Sequence, residues 1–515
     1  MNRLFLFPRC ILITVALVSA AVTLHLSAAE PEKEKEKSGE KAKEKGGDDK
    51  DKDAPKETKS VTEGEVTVAG QKVTYTATAG TLALTKADGE QRASVFHIAY
   101  ERKGMGDAAK RPLVFCFNGG PGSSSVWLHL GAFGPRRVVL PTGGIETPKP
   151  PYELAANEHS LLDVADLVFI DPVSTGFSRA EKPDEAKQFH GYNEDIGSVG
   201  EFIHRWVSKN NRWASPKFLA GESYGGLRAA GLSGHLQGRY GMYLSGVVIV
   251  SGVVDFKTLS ADEGNDVPYL TYLPAMASVA HFHKKLPPDL QQGGAAAAAK
   301  AAEEYALGDY SAALLRGHTL GAEATQKVAA QLSRFTGLPA DLWVRERLRV
   351  GPGLFRRKLL EAENKLIGRY DARVTVDAAS DEDPSYANIL GAYATMLNAY
   401  VRGDLKYESN LAYEVLTRDV QPWNYNSFTG RYVTSASALG DAMSNNPNLR
   451  VFIACGYHDL ATPGFGIRHT MNHLTVDPAR IPNITVRDYE GGHMMYTNAD
   501  SLGRLNADVR AFIVK

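Results

Sequence analysis

Cysteine is scarce in this chain of 515 residues, which contains only Cys10, Cys116 and Cys455. Cys10 lies in an apolar segment near the N-terminus, so two cysteines remain for the rest of the chain. Two cysteines cannot form a disulfide framework of the kind that stabilises small exported domains. The folded part must therefore be stabilised by burial of apolar side chains, which a chain of this length can provide.

The chain also lacks an excess of either charge, with 58 Lys and Arg against 59 Asp and Glu and a formal net charge of -1. A protein that binds nucleic acid needs a basic face or stripe to contact the phosphates. The charge balance therefore predicts no nucleic-acid partner. The hydrophobic fraction of 43% and the charged fraction of 23% are typical of a soluble globular protein.

Long apolar runs are missing except near the N-terminus, where Arg3 and Arg9 precede the run Ile11–Leu26 and small residues follow it. This arrangement is typical of a secretory signal peptide, which we assign to residues 1–29; an uncleaved membrane anchor is the alternative. Residues 30–60 are rich in Lys and Glu and have almost no large apolar side chain, which predicts a disordered linker. We expect a secreted or periplasmic protein with no membrane span once the signal peptide is removed.

The sequence after the linker predicts a sheet that changes from antiparallel to parallel. From Val66 to about Tyr100, apolar and polar residues alternate between Gly and Asp-Gly breaks, as in antiparallel strands and hairpins. Helical spacing at Ile196–Lys209 predicts a helix. Five runs are apolar on both faces, as in parallel strands covered by helices: Leu113–Phe117, Ala165–Asp171, Lys217–Gly221, Gly246–Ser251 and Arg450–Cys455. We predict an α/β architecture with a mostly parallel central sheet, N-terminal antiparallel strands, and a core formed by residues 61–256 and 448–515.

One serine has glycines on both sides at the spacing of a strained turn. In Phe218–Gly226 an apolar run ends in Gly221-Glu-Ser-Tyr-Gly225, which is centred on Ser223. Only glycines two positions before and after leave room for a sharp strand-to-helix turn, which exposes the central hydroxyl at a helix N-terminus. We therefore take Ser223 as a candidate nucleophile. The alternative is a tight turn whose serine is merely small.

Between residues 257 and 447 the alternation of strands and helices stops, and helical patterns follow one another. They are predicted at Ala295–Ala306, Glu323–Phe335, Leu354–Ile367 and Tyr386–Val401. We interpret residues 257–447 as a large helical insertion. An insertion beside a catalytic sheet commonly covers the site, so a cap is favoured over a separate binding domain.

A serine hydroxyl needs a base to become a nucleophile, and the base needs a third group to orient it. Downstream of Ser223, Asp459 and His493 each lie in a loop that follows a predicted strand. The chain order Ser223, Asp459, His493 is that of the α/β-hydrolase fold. Three competing histidines lack a glycine setting, and their spacing indicates no metal site, so we predict neither metal nor cofactor: His458, His469 and His473.

An oxyanion site needs two N–H donors. One belongs to the residue after the nucleophile, which is Tyr224. The other is expected from the glycine-rich turn Asn118–Ser125, which directly follows the predicted strand Leu113–Phe117. A phosphate-binding turn would be followed shortly by a Lys, and none is there. The turn therefore fits an oxyanion site better than a phosphate site.

Five motifs together resemble the serine carboxypeptidases, an exopeptidase family with the α/β-hydrolase fold. They are Asn118-Gly-Gly-Pro-Gly-Ser-Ser-Ser, Phe169-Ile-Asp-Pro-Val-Ser-Thr-Gly-Phe-Ser178, Gly221-Glu-Ser-Tyr-Gly-Gly226, Gly456-Tyr-His-Asp459 and Gly491-Gly-His-Met494. The resemblance extends from about residue 92 to the C-terminus. It implies Ser223 as nucleophile with Asp459 and His493 as triad partners. It also implies N–H donation by Gly120 and Tyr224, and binding of the substrate's terminal carboxylate by Asn118 and Glu222.

The chain departs from that family at two positions near the expected site. The family's second carboxylate-binding Glu corresponds to Ala132, and a cysteine common in its glycine turn corresponds to Ser123. The leading expectation is a secreted serine exopeptidase that shortens peptides from their C-termini through an acyl-enzyme. The alternative is an esterase, acyltransferase or aminopeptidase on the same scaffold, and the third class is a non-catalytic binding protein.

The fold implied by the resemblance also bears on the cysteines. In its usual strand order, the strands that end near Cys116 and Cys455 are separated by two others. At about 4.8 Å per strand the two sulfurs are then too far apart to bond. We predict that both cysteines stay unpaired.

Overall fold

The structure is a computed structural model that describes residues 56–379 and 383–515. The predicted signal peptide, and the predicted linker up to residue 55, lie outside these ranges. The first strand begins at Lys59, where it pairs with Gly80, so the last two residues assigned to the linker belong to the sheet. No helix within the described ranges is both long and apolar enough to cross a membrane.

Within the described residues the strands form one ten-stranded sheet and two short two-stranded sheets. Numbered along the chain, they are β1 (Lys59–Val68), β2 (Gln71–Thr85), β3 (Gln91–Arg102), β4 (Leu113–Phe117), β5 (Arg136–Val138), β6 (Leu154–Ala156), β7 (Asp166–Ile170), β8 (Arg179–Ala180), β9 (Lys217–Glu222), β10 (Gly246–Val250), β11 (Lys365–Ile367), β12 (Thr375–Asp377), β13 (Arg450–Gly456) and β14 (Ile484–Tyr489).

The large sheet has the strand order β1-β2-β3-β7-β4-β9-β10-β13-β14, with β8 paired to β3. Pairing is antiparallel from β1 to β7 and parallel from β7 to β14. Strands β4, β7, β9 and β10 are buried along their whole length, which is why their sequences are apolar at successive positions. The predicted parallel sheet with antiparallel N-terminal strands is confirmed.

The helices, numbered along the chain, are α1 (Tyr192–Lys209), α2 (Tyr224–Tyr240), α3 (Val267–Phe282), α4 (Pro288–Gln291), α5 (Gly294–Tyr305), α6 (Ser311–Arg316), α7 (Ala322–Thr336), α8 (Ala340–Arg345), α9 (Pro352–Lys358), α10 (Pro384–Gly403), α11 (Ala436–Asn445), α12 (Gly464–Asn472) and α13 (Ala499–Val514). Helices α1 and α2 flank β9, α3 to α9 follow one another after β10, and the remaining helices lie between or after the last strands. The helix predicted before the nucleophile strand begins four residues earlier than expected, at Tyr192.

One predicted helix is correct only as far as Lys358 and wrong beyond it. A continuous helix was expected at Leu354–Ile367, but α9 ends at Lys358 and β11 starts at Lys365. Between them Asn364 has a φ of 52°, a left-handed conformation that an α-helix cannot contain. The apolar residues after α9 therefore belong partly to a hairpin with β12. The other three predicted helices of the insertion correspond to α5, α7 and α10.

Alternate residues of β4 belong to two apolar clusters, one on each face of the sheet: Val114 and Cys116 on one face, Phe115 and Phe117 on the other. Helix α10 packs into the first cluster, and α1, α2 and α11 pack into the second. Helix α3 and helices α5 to α9 form a third cluster of their own. Within the predicted insertion, α10 and α11 thus cover the sheet, and only the earlier helices form a separate layer. The boundaries at 257 and 447 remain a prediction.

Cys116 lies on β4 and Cys455 on β13, and strands β9 and β10 lie between them. Both cysteines are buried and unpaired. The predicted separation of the two thiols is confirmed.

Candidate active site

Ser223 occupies the sharp turn between β9 and α2. Its φ of 61° and ψ of -125° lie in a region that residues other than glycine rarely adopt. A Cβ on Gly221 would lie 2.0 Å from the Gly225 carbonyl oxygen, and a Cβ on Gly225 would lie 3.0 Å from the Phe117 carbonyl oxygen. The two glycines are therefore required by packing, and the turn has the strained geometry that the motif predicts.

Asp459 and His493 lie in the loops that follow β13 and β14, and both are buried. His493 Nδ1 lies 2.8 Å from Asp459 Oδ2. The other carboxylate oxygen of Asp459 accepts hydrogen bonds from the amides of Ala461, at 2.7 Å, and Thr462, at 3.0 Å. Because Asp459 is held on both oxygens, it fixes the imidazole with Nδ1 protonated and leaves Nε2 free to accept a proton.

The charge of Asp459 also determines how His493 titrates. Burial alone lowers the pKa of the His493 imidazole, but the Asp459 carboxylate, its hydrogen bond and the Glu222 carboxyl act in the opposite direction. The net result is a pKa above the ordinary value for histidine. The imidazolium form that arises when His493 takes a proton is therefore stabilised.

Ser223 and His493 line one cavity of about 330 Å³. Among the described residues, the half-buried Ser223 hydroxyl makes no hydrogen bond, so it is available to a substrate. The hydrogen bond between a catalytic hydroxyl and its base is often long in unliganded enzymes and shortens when substrate binds. The remaining walls are mainly apolar and aromatic: Trp127, Val253, Phe256, Leu259, Tyr370, Tyr386, Leu416, Tyr425, Ala461 and Met494.

The glycine turn after β4 lies directly against the start of α2. A Cβ on Gly119 would lie 2.4 Å from the Tyr224 backbone nitrogen. Gly120, with a φ of 101°, and Tyr224 both line the cavity. The Tyr224 N–H belongs to the first turn of a helix, where amides have no intrahelical acceptor. The two expected oxyanion donors are thus brought to the cavity that contains Ser223.

A buried ion pair that sequence reasoning missed supports this turn. Arg228 of α2 donates through Nε to Asp195 of α1 at 2.7 Å, and the two side chains are 1% and 2% exposed. The same guanidinium donates to the carbonyl of Asn118. Arg228 therefore couples helix α2 to the glycine turn. Each residue lies inside a helix without a distinctive motif, so no local signal reveals the pairing.

Asn118 and Glu222, the expected ligands of a terminal carboxylate, are both buried and line the same cavity. Asn118 Oδ1 accepts a hydrogen bond from the Leu128 amide at 3.2 Å, which orients the side chain. Its Nδ2 has no hydrogen-bond partner in the described residues. Burial raises the pKa of Glu222 to about 7, although His493, the hydroxyl of Tyr496 and the neighbouring side chain of Asn118 oppose the shift. Glu222 is therefore protonated in mildly acidic solution and can donate a hydrogen bond.

Ala132, at the position of the family's second carboxyl group, is buried in the helical turn Leu128–Phe133. Nearby, the Tyr496 hydroxyl lies 2.6 Å from Glu222 Oε2. Ser123, which replaces the family's cysteine, accepts a hydrogen bond from Trp127 Nε1 at 3.1 Å. A tyrosine hydroxyl thus contacts Glu222 in this chain, a contact that the sequence motifs did not indicate.

The three competing histidines do not line the cavity. His458 is buried against Phe282, and burial lowers its pKa to about 3. His469 and His473 stack on each other with ring centroids 4.1 Å apart. Within residues 56–379 and 383–515, no group of three or more His, Cys, Asp or Glu side chains is placed to hold a metal ion.

The predicted insertion also contributes backbone to the site. The His493 amide donates to the carbonyl of Tyr370 at 2.5 Å, and the Leu460 amide donates to the carbonyl of Arg369 at 3.0 Å. Arg369 and Tyr370 line the cavity. Sequence reasoning missed both residues because the segment before α10 carries no catalytic motif.

A family model described as "Serine carboxypeptidase" matches residues 69–481. The chain belongs to the serine carboxypeptidase family. The resemblance found in the motifs is thereby confirmed. Ser223 and Asp459 lie within the matched residues, whereas His493 lies beyond their end, so its assignment depends on the geometry described above.

Individual relatives match over shorter stretches. Serine carboxypeptidase-like 46 of Arabidopsis thaliana is 31% identical over 178 residues, which are 33% of this chain and 35% of that protein. Carboxypeptidase Y of Schizosaccharomyces pombe is 30% identical over 172 residues, 32% of this chain and 16% of that protein. The chain therefore spans about a third or less of the length of these relatives.

The crystal structure of a prohormone-processing carboxypeptidase from Saccharomyces cerevisiae, KEX1(delta)p, is similar in fold. Its TM-score is 0.55 at 18% sequence identity, over 85% of this chain and 91% of that structure. The α/β-hydrolase class predicted for the sheet and its helices is confirmed.

Proposed function

We propose that the protein is a serine exopeptidase that removes residues from the C-termini of peptides through an acyl-enzyme. Membership of the serine carboxypeptidase family supports this activity. The observation that carries the proposal is that the buried Asn118 amide and the buried Glu222 carboxyl lie side by side in the cavity that contains Ser223; among the described residues, Nδ2 of Asn118 makes no hydrogen bond of good geometry. A buried donor without a partner is costly, and a substrate carboxylate would satisfy it.

In the proposed reaction, the Ser223 oxygen attacks the carbonyl carbon of the last peptide bond while His493 Nε2 takes the hydroxyl proton. Asp459, 2.8 Å from Nδ1, stabilises the resulting imidazolium. The amides of Gly120 and Tyr224 stabilise the negative charge on the carbonyl oxygen. The imidazolium then protonates the leaving amine, which departs as the C-terminal amino acid. Water, deprotonated by His493, hydrolyses the acyl-Ser223 ester and restores the hydroxyl.

Glu222 and Asn118 would determine that the cut is made at the chain end. A protonated Glu222 donates to one carboxylate oxygen of the substrate, and Asn118 Nδ2 donates to the other. Both groups are buried, so their interaction with a carboxylate is weakly screened. Secretion or export to a periplasm is part of the proposal and is supported by the sequence of residues 1–29.

The test is product analysis by mass spectrometry on matched peptides with free and amidated C-termini. We expect stepwise loss of C-terminal residues, faster on the free peptides. Ser223→Ala should lower turnover by about 10^5-fold or more, since the triad acts as one unit. Ser444→Ala, on the exposed side of α11, is the matched control and should leave turnover unchanged.

Other reaction products would indicate another function. Release of N-terminal residues would identify an aminopeptidase, and hydrolysis of esters without peptide cleavage would identify an esterase. Full activity of Ser223→Ala would rule out Ser223 as nucleophile. A serine-directed organophosphorus reagent should label Ser223, and labelling of another serine would count equally against the assignment.

A further inference from the structure

Arg369 brings a positive charge to the wall of the cavity that contains Ser223. The other side chains there that bear a carboxyl or imidazole group are Glu222 and His493. His493 is hydrogen-bonded to Asp459, and Glu222 accepts a hydrogen bond from the hydroxyl of Tyr496. The guanidinium of Arg369 is solvent-exposed and lies over the ring of Tyr370, 5.4 Å from its centroid.

The described carboxylate nearest to the backbone of Arg369 along this loop, that of Asp383, already has hydrogen-bond partners. Asp383 Oδ2 accepts from Arg356 Nη2 at 2.9 Å and from the backbone amide of Arg369 at 2.7 Å. Its Oδ1 accepts from the hydroxyl and amide of Ser385. Within residues 56–379 and 383–515, no carboxylate forms an ion pair with the Arg369 guanidinium, which lies over Tyr370 in the cavity wall.

The backbone of Arg369 is held from two sides. Its amide is bonded to Asp383 at the start of α10, and its carbonyl accepts from Leu460, the residue after Asp459. The side chain therefore emerges from a fixed point beside the triad. A cation placed in this way loses less freedom on binding than one on a mobile loop.

This position is distinct from that of the terminal-carboxylate ligands. Asn118 and Glu222 are buried, whereas Arg369 is exposed. Arg369 lines the same cavity as His493, and its charge opposes the upward shift of the His493 pKa. The cavity wall thus carries a buried pair of polar side chains and, in addition, an exposed cation.

We propose that Arg369 forms a subsite for an acidic side chain of the substrate, on one of the two residues that flank the scissile bond. The inference rests on the proposed peptidase function and adds a substrate class to it: peptides with Glu or Asp beside the cleaved bond. Glu and Gln have the same shape and differ in charge, so comparing them isolates the contribution of Arg369.

The first measurement compares kcat/KM for peptides that differ by one Glu or Gln at the last or the penultimate position. For the wild-type protein we expect the Glu peptide to be favoured about three- to tenfold at one of these positions, the range of a partly exposed ion pair. Arg369→Gln should reduce the ratio of the Glu rate to the Gln rate to about one; because the ratio is taken within each variant, any effect of the lost charge on His493 cancels. Arg369→Lys should retain part of the preference, because charge is kept and the planar fork is lost.

Arg431→Gln is the matched control. Arg431 is also exposed and also lies over an aromatic ring, that of Phe428 at 5.0 Å, but it does not line the cavity. Its substitution should preserve the Glu preference.

A second measurement does not depend on peptide hydrolysis. Calorimetric binding of acetyl-Phe-Glu and acetyl-Phe-Gln, and of acetyl-Glu-Phe and acetyl-Gln-Phe, is compared for Ser223→Ala and for the Ser223→Ala, Arg369→Gln double variant. We expect tighter binding of one Glu ligand by a similar factor, only when Arg369 is present. If the protein hydrolyses no peptide, the proposed function fails, but this binding result still decides the role of Arg369.

Two results would overturn the proposal. One is an equal Glu to Gln ratio with and without Arg369 in both measurements. The other is an equal loss on all free peptides in Arg369→Gln with no change on amidated ones, which would assign Arg369 to the terminal carboxylate instead.

Discussion

The Tyr496 hydroxyl donates a 2.6 Å hydrogen bond to Glu222 Oε2, and both side chains are buried. The helical turn that contains Ala132 packs against the same ring, because a Cβ on Gly131 would lie 2.5 Å from Tyr496 and 2.7 Å from the Tyr393 hydroxyl. A tyrosine therefore accompanies Glu222 where the family resemblance implies a second carboxyl group. A phenol donates one hydrogen bond and stays neutral, so it favours the ionised form of Glu222.

Tyr496→Phe should shift the pH dependence of peptide binding to higher pH. Loss of the donor removes an interaction that lowers the pKa of Glu222, so this pKa rises above about 7 and Glu222 stays protonated over a wider range. The measurement is KM for a free C-terminal peptide as a function of pH. Tyr393→Phe is the matched control, since the hydroxyl of Tyr393 makes no hydrogen bond to Glu222 in the described residues. A shift of the same size in both variants would contradict this explanation.

Glu222→Gln should remove the alkaline limb of kcat/KM on free C-termini. Glu222 must be protonated to bind a carboxylate, so activity should fall as pH rises through about 7. His493 must be neutral to act as base, so activity should fall as pH decreases through its raised pKa. The wild-type profile should therefore be bell-shaped, limited at low pH by His493 and at high pH by Glu222. A Gln amide donates at any pH, which moves the optimum upward. An unchanged profile in the variant would exclude carboxylate recognition by Glu222.

Asp195→Asn should destabilise the protein strongly and slow catalysis. The substitution leaves the Arg228 guanidinium buried without its carboxylate, which costs about 3–5 kcal/mol. It also loosens the contact between Arg228 and the carbonyl of Asn118. Urea unfolding gives the stability and peptide turnover gives the activity. Glu323→Gln, in an exposed ion pair with Lys327, should change neither. Equal stability of the two variants would show that the buried pair contributes little.

Cys116 and Cys455 should react with iodoacetamide only after denaturation, without prior reduction. Burial raises the pKa of both thiols and blocks access to them. Peptide mapping by mass spectrometry after alkylation, with and without guanidinium, identifies each site. Recovery of a Cys116–Cys455 disulfide would contradict the strand order.

Features specified by neighbouring residues could be predicted from the sequence. The turn at Ser223 depends on glycines two positions away, and the parallel strands follow from apolar runs of five or six residues. The helix expected at Leu354–Ile367 failed because its apolar spacing continues past Asn364, whose left-handed backbone ends the pattern. One residue with a left-handed backbone does not change the spacing of the apolar residues around it, so the apolar periodicity does not reveal where the helix ends.

Contacts between distant segments could not be predicted in the same way. Arg228 meets Asp195, Tyr496 meets Glu222, and Arg369 meets the loop of Asp459 only after the sheet has brought their elements together. Each of these residues is common in solvent-exposed positions, and no spacing along the chain distinguishes it. The motifs therefore indicated the candidate triad, whereas the residues that contact its loops and its neighbours could be found only in the three-dimensional structure.

The hydrogen bond between the His493 amide and the Tyr370 carbonyl limits how this protein can be re-engineered. Exchange of the predicted insertion for that of a relative would be more than a modular graft, because the new segment would have to supply the acceptor that holds the proposed base. Chimeras made at this junction should therefore change in substrate selectivity and in turnover at the same time.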